Sequence, residues 1–424
     1  MLDRINQPSF NIPKHIELTA PSELELTNGI PVYSFHADKQ DLIKIDFMFA
    51  LNHDTNRLPL ISAMTSTMLN EGTSERSAVE IANQIDYYGC FLKTQTTRDT
   101  AIITLYSLNK HLKNILPIIE EIIKESIFPE NELEIAAKNA KQKFLVKIKE
   151  VDFHAQLEFN TDIFGANHAY GYKISEEDYN LLNRKELLKF YSRTYGSNNC
   201  KIMLTGNITN NTIKLMNKHF GNSDWVSEGK KGREVMLTEM LKSDPKYIKK
   251  ENAIQCAIRI GKLMFNKRHE DFIKLQVLNT VLGGYFGSRL MSNLREDKGL
   301  TYGVYSTMNS YRSGGSLLIA METGVDNSEL ARNEIYFEIK RLREQKIDAK
   351  ELKLVRNYLY GELLRSTDGI FSTSDFFKGL ILYDLNSSYL SDVMRTINEI
   401  KPIELQELAQ KYFSEDTMQE LVVG

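Results

Sequence analysis

A chain of 424 residues exceeds what one compact core supports, so two domains or more are expected. With 42% hydrophobic and 26% charged residues it has the make-up of a globular protein, and its net charge of -3 excludes the basic footprint of a nucleic-acid binder. Cys90, Cys200 and Cys256 are odd in number and widely spaced, which excludes a disulfide framework or a CxxC metal site and fits a reducing compartment. No run approaches the roughly 18 apolar residues of a membrane span. The opening MLDRINQPSFNIPKHIEL also lacks the apolar core of a secretory signal. The expectation is a cytoplasmic protein with no membrane and no nucleic-acid partner.

In chain order, Leu24 to Leu26 and Val32 to Phe35 alternate around Asn28-Gly29, which predicts a hairpin. Leu42 to Leu51 reads as a buried strand, residues 57–69 and 78–88 as helices, and Ala101 to Leu108 as a strand. Residues 109–126, 130–149 and 183–194 carry apolar positions three and four apart and are predicted helices. A strand at Ala253 to Ile260 opens a second series. Helices follow at 270–281, 287–297, 327–345 and 349–365, with strands near 301–309 and 315–323.

The two series repeat. Glu186-Leu-Leu-Lys-Phe-Tyr-Ser-Arg-Thr-Tyr195 aligns with Glu404-Leu-Gln-Glu-Leu-Ala-Gln-Lys-Tyr-Phe413, 218 residues later, and Met203-Leu-Thr-Gly206 meets Leu421-Val-Val-Gly424 at the same offset. Glu132-Leu-Glu134 meets Ala349-Lys-Glu351 within a residue of it. Runs of strands and helices without regular βαβ alternation predict an α+β fold, built from two homologous α+β domains related by duplication. The expected boundaries are 1–228 and 246–424, joined by a linker at 229–245 that takes in most of the polar run Ser227-Glu-Gly-Lys-Lys-Gly-Arg-Glu234.

Several short segments share one resemblance. Leu26-Thr-Asn-Gly-Ile-Pro-Val32 resembles the "LxNGxxV" opening of the pitrilysin/insulinase family of zinc peptidases, Asn70-Glu-Gly-Thr73 the turn after its zinc helix, and His168-Ala-Tyr-Gly171 its "HPYG" loop. Gly283-Gly-Tyr-Phe-Gly-Ser-Arg-Leu290 and Leu294-Arg-Glu-Asp-Lys-Gly-Leu-Thr-Tyr302 resemble the "GGxxxSRL…LRExxGLxY" signature of its second domain. The resemblance covers nearly the whole chain. It implies subunits that pair into a hollow clamshell around a peptide, each chain forming half. One subunit type carries an HxxEH motif and a distal glutamate for zinc; its partner has lost them and keeps an Arg/Tyr pair.

On this chain the HxxEH positions read Ala63, Ser66 and Thr67, none of which can replace the imidazole or carboxylate ligands. Of the 8 histidines no two lie at i, i+4, so neither HxxEH nor HExxH occurs anywhere. Between Glu134 and Glu150 there is no Asp or Glu, and Gln142 or a neighbouring lysine stands where the distal glutamate is expected. No metal is expected on this chain; zinc is expected in a homologous HxxEH-bearing partner.

Arg295 and Tyr302 lie seven residues apart, with Gly299 placed to end a helix between them. By resemblance they would bind the scissile carbonyl of a peptide substrate in trans to the partner's zinc. As plain structure, Arg295 and Lys298 would offset a helix dipole and Tyr302 would pack in a strand. The resemblance further implies that Gly283 and Gly284 line the chamber, in a segment too short to guide substrate. It also places Gln95, within Lys93-Thr-Gln-Thr-Thr-Arg98, on the edge strand that holds substrate in active subunits, although polar side chains there equally suit a solvated edge. His168 and Tyr170 are expected in a structural loop. The reading is a non-zinc subunit of a heterodimeric zinc endopeptidase; its alternative is an inert structural or peptide-binding member.

Overall fold

The computed structural model describes residues 18–38, 41–51, 58–229, 237 and 244–424. In the first half, β1 (Ser22–Glu25) and β2 (Pro31–His36) form the hairpin around Asn28-Gly29. Gly29 has φ +82°, a conformation open to glycine at little cost. There follow β3 (Leu42–Ala50), α1 (Leu58–Met68), α2 (Ala78–Tyr87), β4 (Phe91–Thr96), β5 (Thr100–Leu108), α3 (Leu112–Lys124) and α4 (Glu130–Lys147). Then come α5 (Val151–Phe164), α6 (Glu176–Asn180), α7 (Arg184–Thr194), β6 (Cys200–Gly206) and α8 (Asn210–Phe220). The sheet runs β1-β2-β6-β3-β5-β4, with β2 and β6 parallel and the other pairs antiparallel. Along β3, Ile43, Ile45, Phe47 and Phe49 point into the main core of this half, while Lys44, Asp46 and Met48 take the opposite face.

The second half contains β7 (Lys246–Ile248), β8 (Gln255–Met264), α9 (Phe272–Gly283), β9 (Val304–Tyr311), β10 (Gly314–Gly324), α10 (Ser328–Glu344) and α11 (Ala349–Ser366). It continues through α12 (Gly369–Ile381), α13 (Ser388–Glu399), α14 (Pro402–Tyr412) and β11 (Gln419–Val423). Its sheet runs β7-β11-β8-β10-β9, with β7 and β11 the parallel pair. The fold is therefore α+β, two mixed sheets each packed with helices. The segments that repeat in sequence occupy like elements: α7 and α14, β6 and β11, α4 and α11.

The same offset pairs α5 with α12, and these two helices change sides. Ala155, Phe159, Ile163 and Phe164 of α5 pack on Ala257, Leu318, Ala320, Leu421 and Val423 of the second sheet. Phe377, Leu380 and Ile381 of α12 pack on Phe35, Met48, Ile102 and Met203 of the first. Each half thus covers a face of the other's sheet. The buried charges on those faces are paired, as burial requires: Lys44 with Asp375 at 2.5 Å, Lys378 with Asp46 at 3.2 Å, and Arg259 with Asp152. At the junction Asp384 receives Lys201, Arg268 and Arg312, each at 3.1 Å, and these cations overcome its burial to hold its carboxyl below the usual range.

Two expectations change. The helix predicted at 287–297 is wound as a π-helix over Met291–Asp297. Helices α5, α8, α12 and α13 were not among the predicted elements. Most of the expected linker lies outside the described residues. Among the described residues no helix is long and apolar enough to cross a membrane.

Candidate functional site

Helix α1 carries the first candidate positions. Ala63 and Thr67 lie one turn apart on its exposed face, and the Thr67 hydroxyl donates to the Ala63 carbonyl at 2.9 Å. Ser66 is buried beside Tyr195, whose phenol is pushed up by burial. Helix α4 packs on α1 and offers exposed Gln142 and Lys143 where a carboxylate would be needed. Among the described residues no three His, Cys, Asp or Glu side chains converge as ligands for a metal ion. This donor set does not fit zinc, which needs deprotonated N, O or S ligands in near-tetrahedral array.

The second candidate is assembled around the end of α9. Gly283 is buried there, and a Cβ on it would sit 2.7 Å from both the backbone N and Oγ of Ser306 on β9. Asn279 and Ser306 fasten this contact, Nδ2 donating to the Ser306 carbonyl at 3.0 Å and Oγ to the Asn279 carbonyl at 3.2 Å. Packing alone therefore demands a glycine at 283. A Cβ on Gly284 would likewise meet Thr280 Cα at 2.7 Å.

The π-wound turn that follows is anchored by Asn293, which donates to Glu338 at 2.8 Å and to Glu334 at 3.1 Å on α10. The widened ring closes with Lys298 N donating to the Asn293 carbonyl at 3.1 Å. Gly299 then takes φ +61°, and Leu300 N returns to the Leu294 carbonyl at 2.8 Å, a glycine-based helix stop. Thr323 Oγ1 holds the Leu300 carbonyl at 2.7 Å, and Thr301 Oγ1 donates to the Glu322 carbonyl at 2.7 Å. Lys298 pairs with Glu334.

This scaffold brings Arg295 and Tyr302 together. Arg295 Nη1 donates to the Tyr302 carbonyl at 2.7 Å, and the guanidinium lies 4.6 Å from the Tyr302 ring centre. Phe286, absent from the sequence-derived candidates, closes the other approach at 5.0 Å. Its signal was an aromatic residue inside the glycine-rich segment. Tyr302 is 88% exposed, so its ring is not a packing residue. A permanently charged donor stacked beside an accessible phenol suits a carbonyl or carboxylate oxygen.

Gln95 lies elsewhere. It faces Ile102 across β4 and β5, on the edge of the first sheet. On the second sheet's edge, β9, the carbonyls of Ser306 and Ser310 are taken by Asn279 and Tyr383, which leaves that edge partly closed. His168 Nδ1 accepts from Tyr170 N at 3.1 Å. The Tyr170 phenol bonds Asp99, which also accepts from Arg312 N at 2.9 Å, so this loop fastens the two halves.

Two family profiles match the chain: "Insulinase (Peptidase family M16)" over residues 53–173 and "Peptidase M16 inactive domain" over 181–359. The chain is 28% identical to the "Uncharacterized zinc protease YmxG" of Bacillus subtilis, covering 86% of this chain and 88% of that protein. It is 26% identical to the "Non-peptidase homolog YmxG" of Helicobacter pylori, covering 81% and 80%. Among solved structures, a peptidase M16 inactive domain from Pseudomonas fluorescens superposes with a TM-score of 0.85 at 22% identity, over 95% of this chain and 98% of that one. A protease from Helicobacter pylori gives 0.87 at 16% identity, over 96% and 100%.

Proposed function

The chain belongs to the insulinase (peptidase M16) family, and from that premise we propose that it is the non-zinc subunit of a heterodimeric endopeptidase. A homologous HxxEH-bearing partner would bring the zinc and its base. This chain would contribute Arg295 and Tyr302, which bind the scissile carbonyl of a peptide enclosed between the two subunits. The observation that carries the reading is the Arg295–Tyr302 stack, held at a rigid helix stop and open to solvent, in a chain whose HxxEH positions are Ala63, Ser66 and Thr67. Three buried free cysteines support a cytoplasmic setting.

To test it, the chain is purified alone and mixed with an HxxEH-bearing relative from the same genome. Peptide cleavage is expected only in the mixture. Arg295→Ala and Tyr302→Phe should each lower kcat by about a hundredfold to a thousandfold, the range for losing one donor to a developing oxyanion. Cleavage that survives both changes would sink the proposal.

A second reading, an inert structural or peptide-binding member, is favoured by one observation. Arg295 already spends one donor on the Tyr302 carbonyl and is packed between two rings. Peptide that binds the mixture without being cleaved would support it.

A further inference from the structure

Lys267 sits in the loop between β8 and α9, largely withdrawn from water, and no carboxylate answers it. Its contact is the Tyr383 ring, 4.2 Å from Nζ, and among the described residues the ammonium has neither an ion pair nor a hydrogen bond. Lys44, Asp46 and Arg259, by contrast, are all paired. A desolvated ammonium without a partner is costly, and such groups cluster where a ligand completes them. Burial accordingly pushes the Lys267 pKa down, with no neighbouring charge opposing it.

Beside this ammonium lies a cleft of about 540 Å3 between β9, α9, α11 and α13. Phe272, Val277, Met308, Leu363, Val393 and Ile397 make its wall mostly apolar. The one carboxylate on the wall, Glu362, is held by Arg365 at 2.6 Å. Tyr389 adds a phenol that burial pushes up to about 12, so it remains a donor. Lys267 and Tyr389 also border a polar groove of about 750 Å3 lined by charges of both signs, in which Arg268 holds Asp384, Lys274 holds Glu404 and Arg395 holds Asp392. The cleft has the size and lining of a small-molecule site, mostly apolar with a few polar groups.

We propose that this cleft binds an amphipathic carboxylate, its aliphatic or aryl-aliphatic body between α9 and α13 and its carboxylate on the Lys267 ammonium. A single ammonium matches a singly charged head group. A peptide chain fits less well, because the walls are largely helix faces whose backbone groups are already bonded, leaving a peptide's amides unsatisfied. The cleft is lined by the first turns of α9 and by Met308 to Ser310 of β9, whereas Arg295 and Tyr302 lie between the end of α9 and the start of β9, and the proposal does not rest on their role.

The test is calorimetric titration of the full chain with decanoate, decanol and decyltrimethylammonium, all below micelle-forming concentrations. Decanoate should bind one per chain, with decanol and the cationic amphiphile at least about tenfold weaker. Lys267→Gln removes an unpaired buried charge, so it should fold, and it should weaken decanoate about tenfold, to the level of decanol. Val393→Trp, which fills the cleft, should abolish binding while circular dichroism stays unchanged. No decanoate binding, equal affinity for decanoate and decanol, or an unchanged affinity in Lys267→Gln would overturn the proposal. So would a leucine-terminated tripeptide that binds more tightly than decanoate, which would assign the cleft to peptide C-termini.

Discussion

Ala63 and Thr67 occupy the i, i+4 face of α1 where two imidazoles would have to stand, and the side chains present are a methyl group and a hydroxyl bonded to its own helix. Restoring the letters does not restore the site. In the triple variant Ala63→His, Ser66→Glu, Thr67→His, the two imidazoles would be exposed but the new carboxylate would be buried beside Tyr195, and α4 would still present Gln142 and Lys143. Metal analysis of that variant is expected to find zinc well below one per chain and no peptidase activity in the absence of a partner. Stoichiometric, tightly held zinc would show that α1 and α4 remain a competent frame. Arg295 and Tyr302 were singled out by the family resemblance, and their closeness was legible because only six residues, Gly299 among them, lie between the two, and such local spacing fixes local geometry. Phe286 was not, since its ring reaches Arg295 through a turn whose path depends on the buried contact of Gly283 with Ser306.

Among the elements, α5 and α12 decide the architecture. Phe377 of α12 is buried on the first sheet and packs against Phe35 with the rings tilted by 48° and 5.3 Å between ring centres. Phe377→Ala should cost about 3–5 kcal/mol in urea denaturation, the range for an aromatic truncation in a packed core. A loss under about 1 kcal/mol would mean that α12 is not docked there. Helix α5 is gripped through charge as well. Burial alone would raise the pKa of Glu158, but Lys173 and Lys246 (the latter on β7) bring it from 4.5 down to about 2. Because the folded value lies below the unfolded one, this stabilisation is complete above pH 4.5 and is lost as pH falls through about 2. The gap in melting temperature between the wild type and Glu158→Gln should therefore be widest near neutrality and close in acid. A gap independent of pH would contradict the assignment.

For the molecule as a whole, exchange of α5 and α12 makes each half part of the other's core, and Asp384 and the Asp99–Tyr170 contact add polar fastening at the junction. The two halves should consequently unfold as one. Urea denaturation followed by far-ultraviolet circular dichroism and by the fluorescence of Trp225, in the first half, should give a single transition with coincident midpoints. Two separated transitions would show that the halves are independent.

Much of this organisation was present in the amino-acid order. The 218-residue repeat anticipated α7 with α14 and β6 with β11, because apolar spacing and closing strands are local patterns. The absence of HxxEH was equally plain, since a helical ligand pair needs fixed spacing. The same repeat also contains α5 and α12, whose periodicity is weak in sequence: α5 carries a narrow i, i+4 seam and α12 is interrupted by Gly379, Ser372 and Thr373. Which sheet they cover, and that Lys267 stands without a carboxylate, were decided only by the tertiary structure. Both facts depend on contacts between residues far apart in the chain, and no local pattern records which distant surface, or which distant charge, the folded chain will bring near.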